Sequence, residues 1–308
     1  MMIRPARFQS NPQTASSNRF QGKTCASPAE QHAAALAQFE SLTQALERAG
    51  IRVCVFDDTP EPHTPDAIFP NNWVSFHADG TAVLYPMEAP NRRTERRRDI
   101  LESLSDDHGF LLRNVIDLSH HENDGHFLEG TGSMVLDRAN HIAYACLSSR
   151  THLDPLGEFA QRMDYEVLAF DAVDHNGAAI YHTNVLMNVG EKIAVVCDEA
   201  IPRHDQRQAV LESLAATGHE VIRLTFAQLH AFAGNMLELR SASGRRVTAL
   251  SEQARTALDE EQLAKLSGNG EVVSATIDTI ECSSGGSVRC MLAEIHLPRA
   301  NAGIKVDS

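Results

Sequence analysis

Three residue types that can do covalent chemistry stand out in this sequence: the thiol of Cys290, the imidazole of His182 and the carboxylate of Glu129. Together they are the parts of a Cys-His-acid arrangement, in which a thiolate attacks, an imidazole moves protons and an acid holds the imidazole's tautomer. They lie far apart in the chain, and each has an ordinary alternative: a core cysteine, a satisfied core histidine, a turn carboxylate beside Gly130. Local context sharpens them. Gly285 and Gly286 lead through Arg289 into Cys290, just where an alternating run begins. Read as a strand, that run would bury Met291, Ala293, Ile295 and Leu297 and turn Cys290, Leu292, Glu294 and His296 to the other face.

The elements that must position these groups recur. A helix is expected over Gln31–Ala49, stopped by Gly50, then a strand over Ile51–Phe56. Trp73–Phe76 and Thr81–Tyr85 flank Asp79-Gly80, a hairpin signal, followed by a helix over Arg92–Leu104 and a strand over Phe110–Ile116. The same order returns with Ser133–Leu136, His141–Leu147, a helix over Asp154–Met163 and Tyr165–Phe170. It returns again with Val185–Val189, Ile193–Cys197, a helix over Asp205–Thr217 and Glu220–Leu224, and once more with Met236–Arg240, Val247–Leu250 and a helix over Ser251–Leu266. A hairpin-helix-strand unit of roughly 50 to 60 residues thus appears four times, with the carboxyl end completing a fifth. The expectation is one α/β domain over 1–308, its units arranged about an axis with their loops converging on one centre.

Four polar stretches fall where such loops would meet: Asp66–Trp73, Gly125–Gly132, Tyr181–Asn184 and Gly285–Cys290. Composition narrows what they could act on. A net charge of -14 argues against nucleic acid and leaves a cationic or zwitterionic small molecule open. Of the basic cluster at Arg92, Arg93, Arg96, Arg97 and Arg98, the last three read as a solvated helix face. No apolar stretch suits a membrane span and the amino terminus does not resemble a secretory signal. Six scattered cysteines without paired spacing imply a reducing, cytoplasmic setting and no zinc cage. Cys54, Cys146 and Cys197 sit in apolar strands and read as core, while Cys282 and Cys290 have loop surroundings. His120, His121 and His126 read as solvated rather than as ligands, and no metal or organic cofactor is expected. The oligomeric state is left open, a homo-oligomer included.

The four stretches, in this order, resemble the guanidine-modifying (pentein) superfamily of arginine deiminases, dimethylarginine dimethylaminohydrolases, succinylarginine dihydrolases and amidinotransferases. Gly285–Cys290 resembles the deiminase nucleophile motif, and Leu128–Gly130 the acid-Gly-Gly turn with Thr131 replacing the second glycine. His182–Asn184 resembles the deiminases' His-x-Asp, and Pro65–Phe69 the Pro-Asp-x-x-Phe of the dimethylaminohydrolases. Ala89–Arg93 and Leu147–Thr151 resemble the latter's two arginine-bearing segments. The likeness spans roughly Asp66 to Leu297 and looks nearest to the arginine-deiminase-related, citrulline-utilisation branch.

The resemblance implies a five-bladed α/β propeller built from ββαβ-type units and a small arginine-derived substrate. It implies Cys290 as nucleophile, His182 as acid and base, and Glu129 as the imidazole's partner. Arg92 and Arg150 would fix the substrate carboxylate and Asp66 its amine or a guanidinium N–H, with Phe69 beside them. Two departures bear on the substrate. Asn71 and Asn72 stand where the relatives carry a carboxylate after the Phe, and Asn184 stands where the deiminases carry Asp. A buried guanidinium needs carboxylates, whereas a neutral ureido group presents a carbonyl and N–H donors that amides can meet. The reading therefore leans to hydrolysis of citrulline to ornithine, ammonia and carbon dioxide. A guanidine hydrolase (deiminase, dihydrolase or dimethylaminohydrolase type) is the alternative, an amidinotransferase the next, and a catalytically silent pentein binding protein the non-enzyme reading.

Overall fold

The computed structural model describes residues 1–15, 18, 20–22 and 26–300. Fourteen strands among them form five small sheets. Strands β1 (Met2–Arg4) and β2 (Val55–Asp57) pair in parallel across the helix Pro28–Arg48. Four three-stranded sheets follow. They comprise β3 (Val74–Phe76), β4 (Thr81–Leu84) and β5 (Asn114–Asp117), then β6 (Val135–Asp137), β7 (Ile142–Leu147) and β8 (Glu166–Asp171). Next come β9 (Met187–Val189), β10 (Ile193–Val196) and β11 (Glu220–Arg223), and last β12 (Leu237–Arg240), β13 (Arg246–Ser251) and β14 (Glu271–Ala275). In each of these four the first pair is antiparallel and the second parallel. A tight turn joins the hairpin and a helix covers the crossover, as parallel pairing requires. No helix of the described residues is long and apolar enough to cross a membrane.

Local chemistry moved several boundaries. The first helix starts at Pro28 because Ser27 and Glu30 form a capping box ahead of it. The helix expected over Ser251–Leu266 is two, Glu252–Ala257 and Glu260–Asn269, because Asp259 and Gln262 make a second capping box in its middle. Arg92–Leu104 is likewise divided into a 3-10 segment, Pro90–Glu95, and the helix Arg98–Asp106, with Arg97 extended between them. That break turns Arg92 inward, 2% exposed. It also corrects the solvated-face reading of the later arginines: Arg96 is mostly buried and bonds to Glu122, while Arg98 at 69% exposed does match it.

Two further expectations fail. No paired strand follows Cys290. Backbone bonds from Cys290 and Met291 to Ser287 O make a turn there, and over Cys290–Ala293 both faces of the run are buried, Leu292 as well as Met291. The chain pairs again where Met1 and Ala293 exchange backbone hydrogen bonds of 2.8 and 3.1 Å, and in an isolated bridge between Phe110 and Arg299. Cys282 lies in the helix Asp278–Ser284 rather than in a loop, while Cys25 falls outside the described residues. Cys54, Cys146 and Cys197 are buried, as expected of core thiols.

Candidate active site

A short turn precedes each hairpin, and those turns carry the site. Phe69 caps the 3-10 turn Pro70–Asn72, Glu129 caps Gly130–Ser133 and His182 caps Thr183–Leu186. Thr183–Leu186 overlaps a stretch expected to be strand; its first residues curl because the cap must aim His182 inward before β9 begins. Each turn is tied to the one before it. Thr131 Oγ1 donates to Asn71 O at 3.3 Å and Thr183 Oγ1 to Ser133 O at 2.5 Å. Asn235 Nδ2 donates to Asn184 O at 2.9 Å, and Arg289 N–H donates to Asn235 Oδ1 at 3.1 Å. Thr131, the departure from a second glycine, thus supplies one of these links.

The fifth turn packs back against the first. A Cβ on Gly286 would stand 2.7 Å from Phe69 Cζ, and one on Gly285, whose φ is +66°, 2.5 Å from Asn18 Oδ1. Any larger residue would push the turn that carries Cys290 away from its neighbours.

Cys290, 4% exposed, and His182, 2% exposed, line the same cavity, together with Asp66, Asn72, Arg92 and Arg150. The cavity measures about 20 Å³, space for a water and little more. The sulfur is met by two amide donors, Asn184 Nδ2 at 3.4 Å and Asn235 Nδ2 at 3.3 Å. Asn184 Oδ1 is buried with no hydrogen-bond partner among the described residues. His182 Nε2 bonds to Glu129 Oε2 at 2.9 Å.

Electrostatics fixes the protonation of this pair. Burial pushes the Glu129 carboxyl up, but Arg150, the His182 hydrogen bond and Arg92 outweigh it and hold it well below the usual carboxylate range. Burial pushes His182 down to about 4 against the pull of Glu129, so the resting imidazole is neutral. Its Nε2 therefore carries the proton donated to Glu129, and Nδ1 is the nitrogen left for proton transfer.

The cationic residues are more committed than sequence suggests. Arg92 spends its Nε–Nη2 edge on Glu95 at 3.0 and 2.9 Å and its Nη1 on Asn72 Oδ1 at 2.9 Å. Burial opposes its charge, and Glu95, Asp66 and Glu129 more than restore it. Arg150 lies 3.2 Å from Glu88, 3.5 Å from Glu129 and over the Tyr181 ring at 4.7 Å. Asp66 accepts from Asn11 Nδ2 at 2.7 Å. Asn71 is fully buried, holds Asn72 through its Oδ1 at 3.1 Å and stands behind the cavity wall.

Asn235 is the residue that sequence reading missed. The four polar stretches came from four of five units; the fourth unit, opening β12, was left without one. Position was the available signal: Gly234-Asn235-Met236 precedes β12 just as His182–Asn184 precedes β9.

A family profile described as N,N dimethylarginine dimethylhydrolase, eukaryotic, matches residues 4–297. No curated protein matches the sequence. Among solved structures, apo ArgZ, an arginine dihydrolase from the ornithine-ammonia cycle in cyanobacteria, superposes with a TM-score of 0.72 at 17% identity. That match covers 97% of this chain but 41% of ArgZ, so the chain spans well under half of that protein's length. The substrate-bound N-terminal domain of ArgZ alone matches at TM-score 0.70 and 17% identity, covering 96% of this chain and 98% of the domain. A dimethylarginine dimethylaminohydrolase adduct with S-methyl-L-thiocitrulline matches at 0.61 and 14%, covering 94% and 96%. At such identities the likeness establishes the α/β fold shared with these pentein enzymes. With nearly its whole length matched by the family profile, the chain belongs to the N,N-dimethylarginine dimethylhydrolase family of pentein hydrolases, whose members act on C–N bonds of guanidino groups.

Proposed function

We propose that this protein is a cysteine-dependent hydrolase of the terminal ureido or guanidino group of an arginine-derived amino acid, with citrulline the preferred substrate. The observation carrying the proposal is one cavity that holds a thiol faced by two amide N–H donors and a neutral imidazole backed by a buried carboxylate. Two donors on sulfur suit an atom that carries negative charge in the reaction. Five sheets whose opening turns are bonded in succession are read as five sectors around this cavity, within one domain.

In the proposed reaction Cys290 Sγ attacks the ureido carbon and an S–C bond forms. The C–N bond to the side chain breaks as the leaving amine takes a proton delivered through His182 Nδ1, and Glu129 stabilises the imidazolium that forms transiently. Water then attacks the carbamoyl-cysteine, giving its proton to His182. The S–C bond breaks, and the carbamic acid released decomposes to ammonia and carbon dioxide. Asn184 Oδ1, unpartnered beside the sulfur, is placed to accept a substrate N–H, and Asn72 to meet the carbonyl side. Arg150 is assigned the substrate carboxylate, because the fork of Arg92 is already filled by Glu95. Arg92 instead keeps Asn72 and Glu129 in register, and Asp66 and Phe69 line the approach.

A water-sized cavity cannot admit an amino acid as it stands. Asn11 on Asp66, Thr14 O on Arg150 and Asn18 Nδ2 on Ser284 O at 2.6 Å cover it, and substrate exchange requires them to part. A second reading, hydrolysis of arginine itself, is favoured by Asp66, a buried carboxylate on the cavity wall that could pair a guanidinium. Incubation with citrulline and with arginine separately decides between them. Ornithine and ammonia from citrulline, faster than any product from arginine, support the ureido reading. Citrulline accumulating from arginine defeats it.

A further inference from the structure

Away from the cavity, the segment after β5 and the helix Leu153–Met163 bring two histidines and a glutamate together. His121 Nε2 lies 2.8 Å and His120 Nε2 3.1 Å from the same oxygen, Glu158 Oε2. All three donor atoms fall within 4.8 Å of one another. The two imidazoles are neighbours in the 3-10 segment Ser119–Asp124, their ring centroids 4.3 Å apart and 31° from parallel, which points both Nε2 atoms the same way. His121 is 13% exposed in its side chain, which corrects its reading as solvated; His120, at 54%, leaves the cluster open to solvent on one side.

The carboxylate is held from behind. Arg162 Nε bonds to the other oxygen, Glu158 Oε1, at 2.8 Å. Burial pushes this carboxyl up, and the bonds from His121 and Arg162 outweigh it and keep it ionised. A second group one helical turn away, His126, His152 and Asp154, has stacked rings. It is a poorer cage, because His152 Nδ1 already accepts the Asp154 backbone N–H at 3.2 Å.

We propose that His120, His121 and Glu158 form a surface site for a divalent transition-metal ion of the zinc class, with water completing the coordination. Two imidazole nitrogens, one carboxylate oxygen and an open fourth direction are the donor set such ions take, and the Arg162 contact is the outer support that orients a ligating carboxylate. Ligand atoms about 2 Å from a tetrahedral ion stand about 3.4 Å apart, so the nitrogen-to-oxygen spacings would open by about 0.6 Å at His121 and about 0.3 Å at His120.

The test is a Co²⁺ titration of chelator-treated full-length protein near neutral pH, followed by visible absorption. One equivalent should bind with a nitrogen-oxygen spectrum lacking thiolate charge transfer, and Cys290→Ser should bind equally well. His120→Gln, His121→Gln and Glu158→Gln should each weaken binding by more than about tenfold. The exposed position of His120 guards against loss by misfolding, which circular dichroism also checks. No saturable binding, binding unchanged in all three variants, or binding lost in Cys290→Ser would overturn the assignment.

Discussion

Replacing Asn235 with Ala probes how the thiol is held. Its carboxamide, fully buried, makes four contacts: Nδ2 to Cys290 Sγ at 3.3 Å, Nδ2 to Asn184 O at 2.9 Å, and Oδ1 from Arg289 N–H at 3.1 Å and from the Cys290 thiol at 3.7 Å. Ala removes all four and leaves a buried carbonyl and a buried N–H unpaired, at about 1–3 kcal/mol each, so the variant should lose about 2–6 kcal/mol of stability. A hydrogen bond to a charged atom contributes about 1.5–3 kcal/mol, so loss of the sulfur contact should slow attack by about 10- to 100-fold. Asn235→Asp adds a charge at the same place. It keeps an acceptor for Arg289 N–H but sets a carboxylate oxygen against the sulfur and Asn184 O, so it should be the slower variant. Urea unfolding gives the first quantity; turnover and the alkylation rate of Cys290 by a chloroacetamidine give the second. Wild-type alkylation and turnover in a folded Asn235→Ala protein would refute the reasoning.

Other perturbations follow from the same geometry. Glu129→Gln removes the charge that stabilises the imidazolium and leaves Arg92 and Arg150 short of a countercharge; turnover should fall by about 10³- to 10⁴-fold and stability by about 3–5 kcal/mol, read by steady-state kinetics and urea melts. Burial lowers His182 to about 4 and His77 to about 3 from an ordinary 6.5, and it raises Glu281 to about 7 and Glu95 to about 8 from 4.5, while at Glu294 the opposing charges of Arg289 and Arg138 outweigh burial and hold the carboxyl at about 2. Between pH 5 and 4 the unfolded chain therefore holds two imidazole protons, and gains carboxyl protons at Glu129 and Glu294, that the folded chain refuses, against the two carboxyl protons that the folded chain keeps. Stability should fall with falling pH by about 1–3 kcal/mol per pH unit, and a flat profile in that window would contradict the assigned burial. Asn72→Asp keeps the acceptor for Arg92 but adds a charge at the cavity wall, and should raise the arginine-to-citrulline ratio of kcat/KM by about tenfold, measured by product analysis.

Much of this was legible in the sequence because it is written in local patterns. Asp79-Gly80 marks a hairpin, the apolar period changes from two to 3.6 between β4 and its crossover helix, and the order then repeats. Glu129 and Cys290 could be singled out because glycines mark turns beside them, and His182 because it lies in a polar stretch just ahead of a strand. What remained illegible depends on contacts between units. Nothing local distinguishes Arg92 from Arg96, yet the break at Arg97 turns Arg92 inward to Glu95 and Asn72. Likewise Asn235 is an isolated amide in an apolar stretch, and its role exists only because Asn184, Arg289 and Cys290 arrive from other turns. The alternation after Cys290 misled because over Cys290–Ala293 both faces meet protein, so period two carries no register there.

The account stands on covalent chemistry at one sulfur. Mass spectrometry of protein quenched during turnover of citrulline, or after exposure to a chloroacetamidine, measures that directly. The account predicts a single adduct, mapped to the peptide bearing Cys290 and absent in Cys290→Ser. An adduct on the exposed Cys282 instead, or turnover that survives Cys290→Ser, would contradict it.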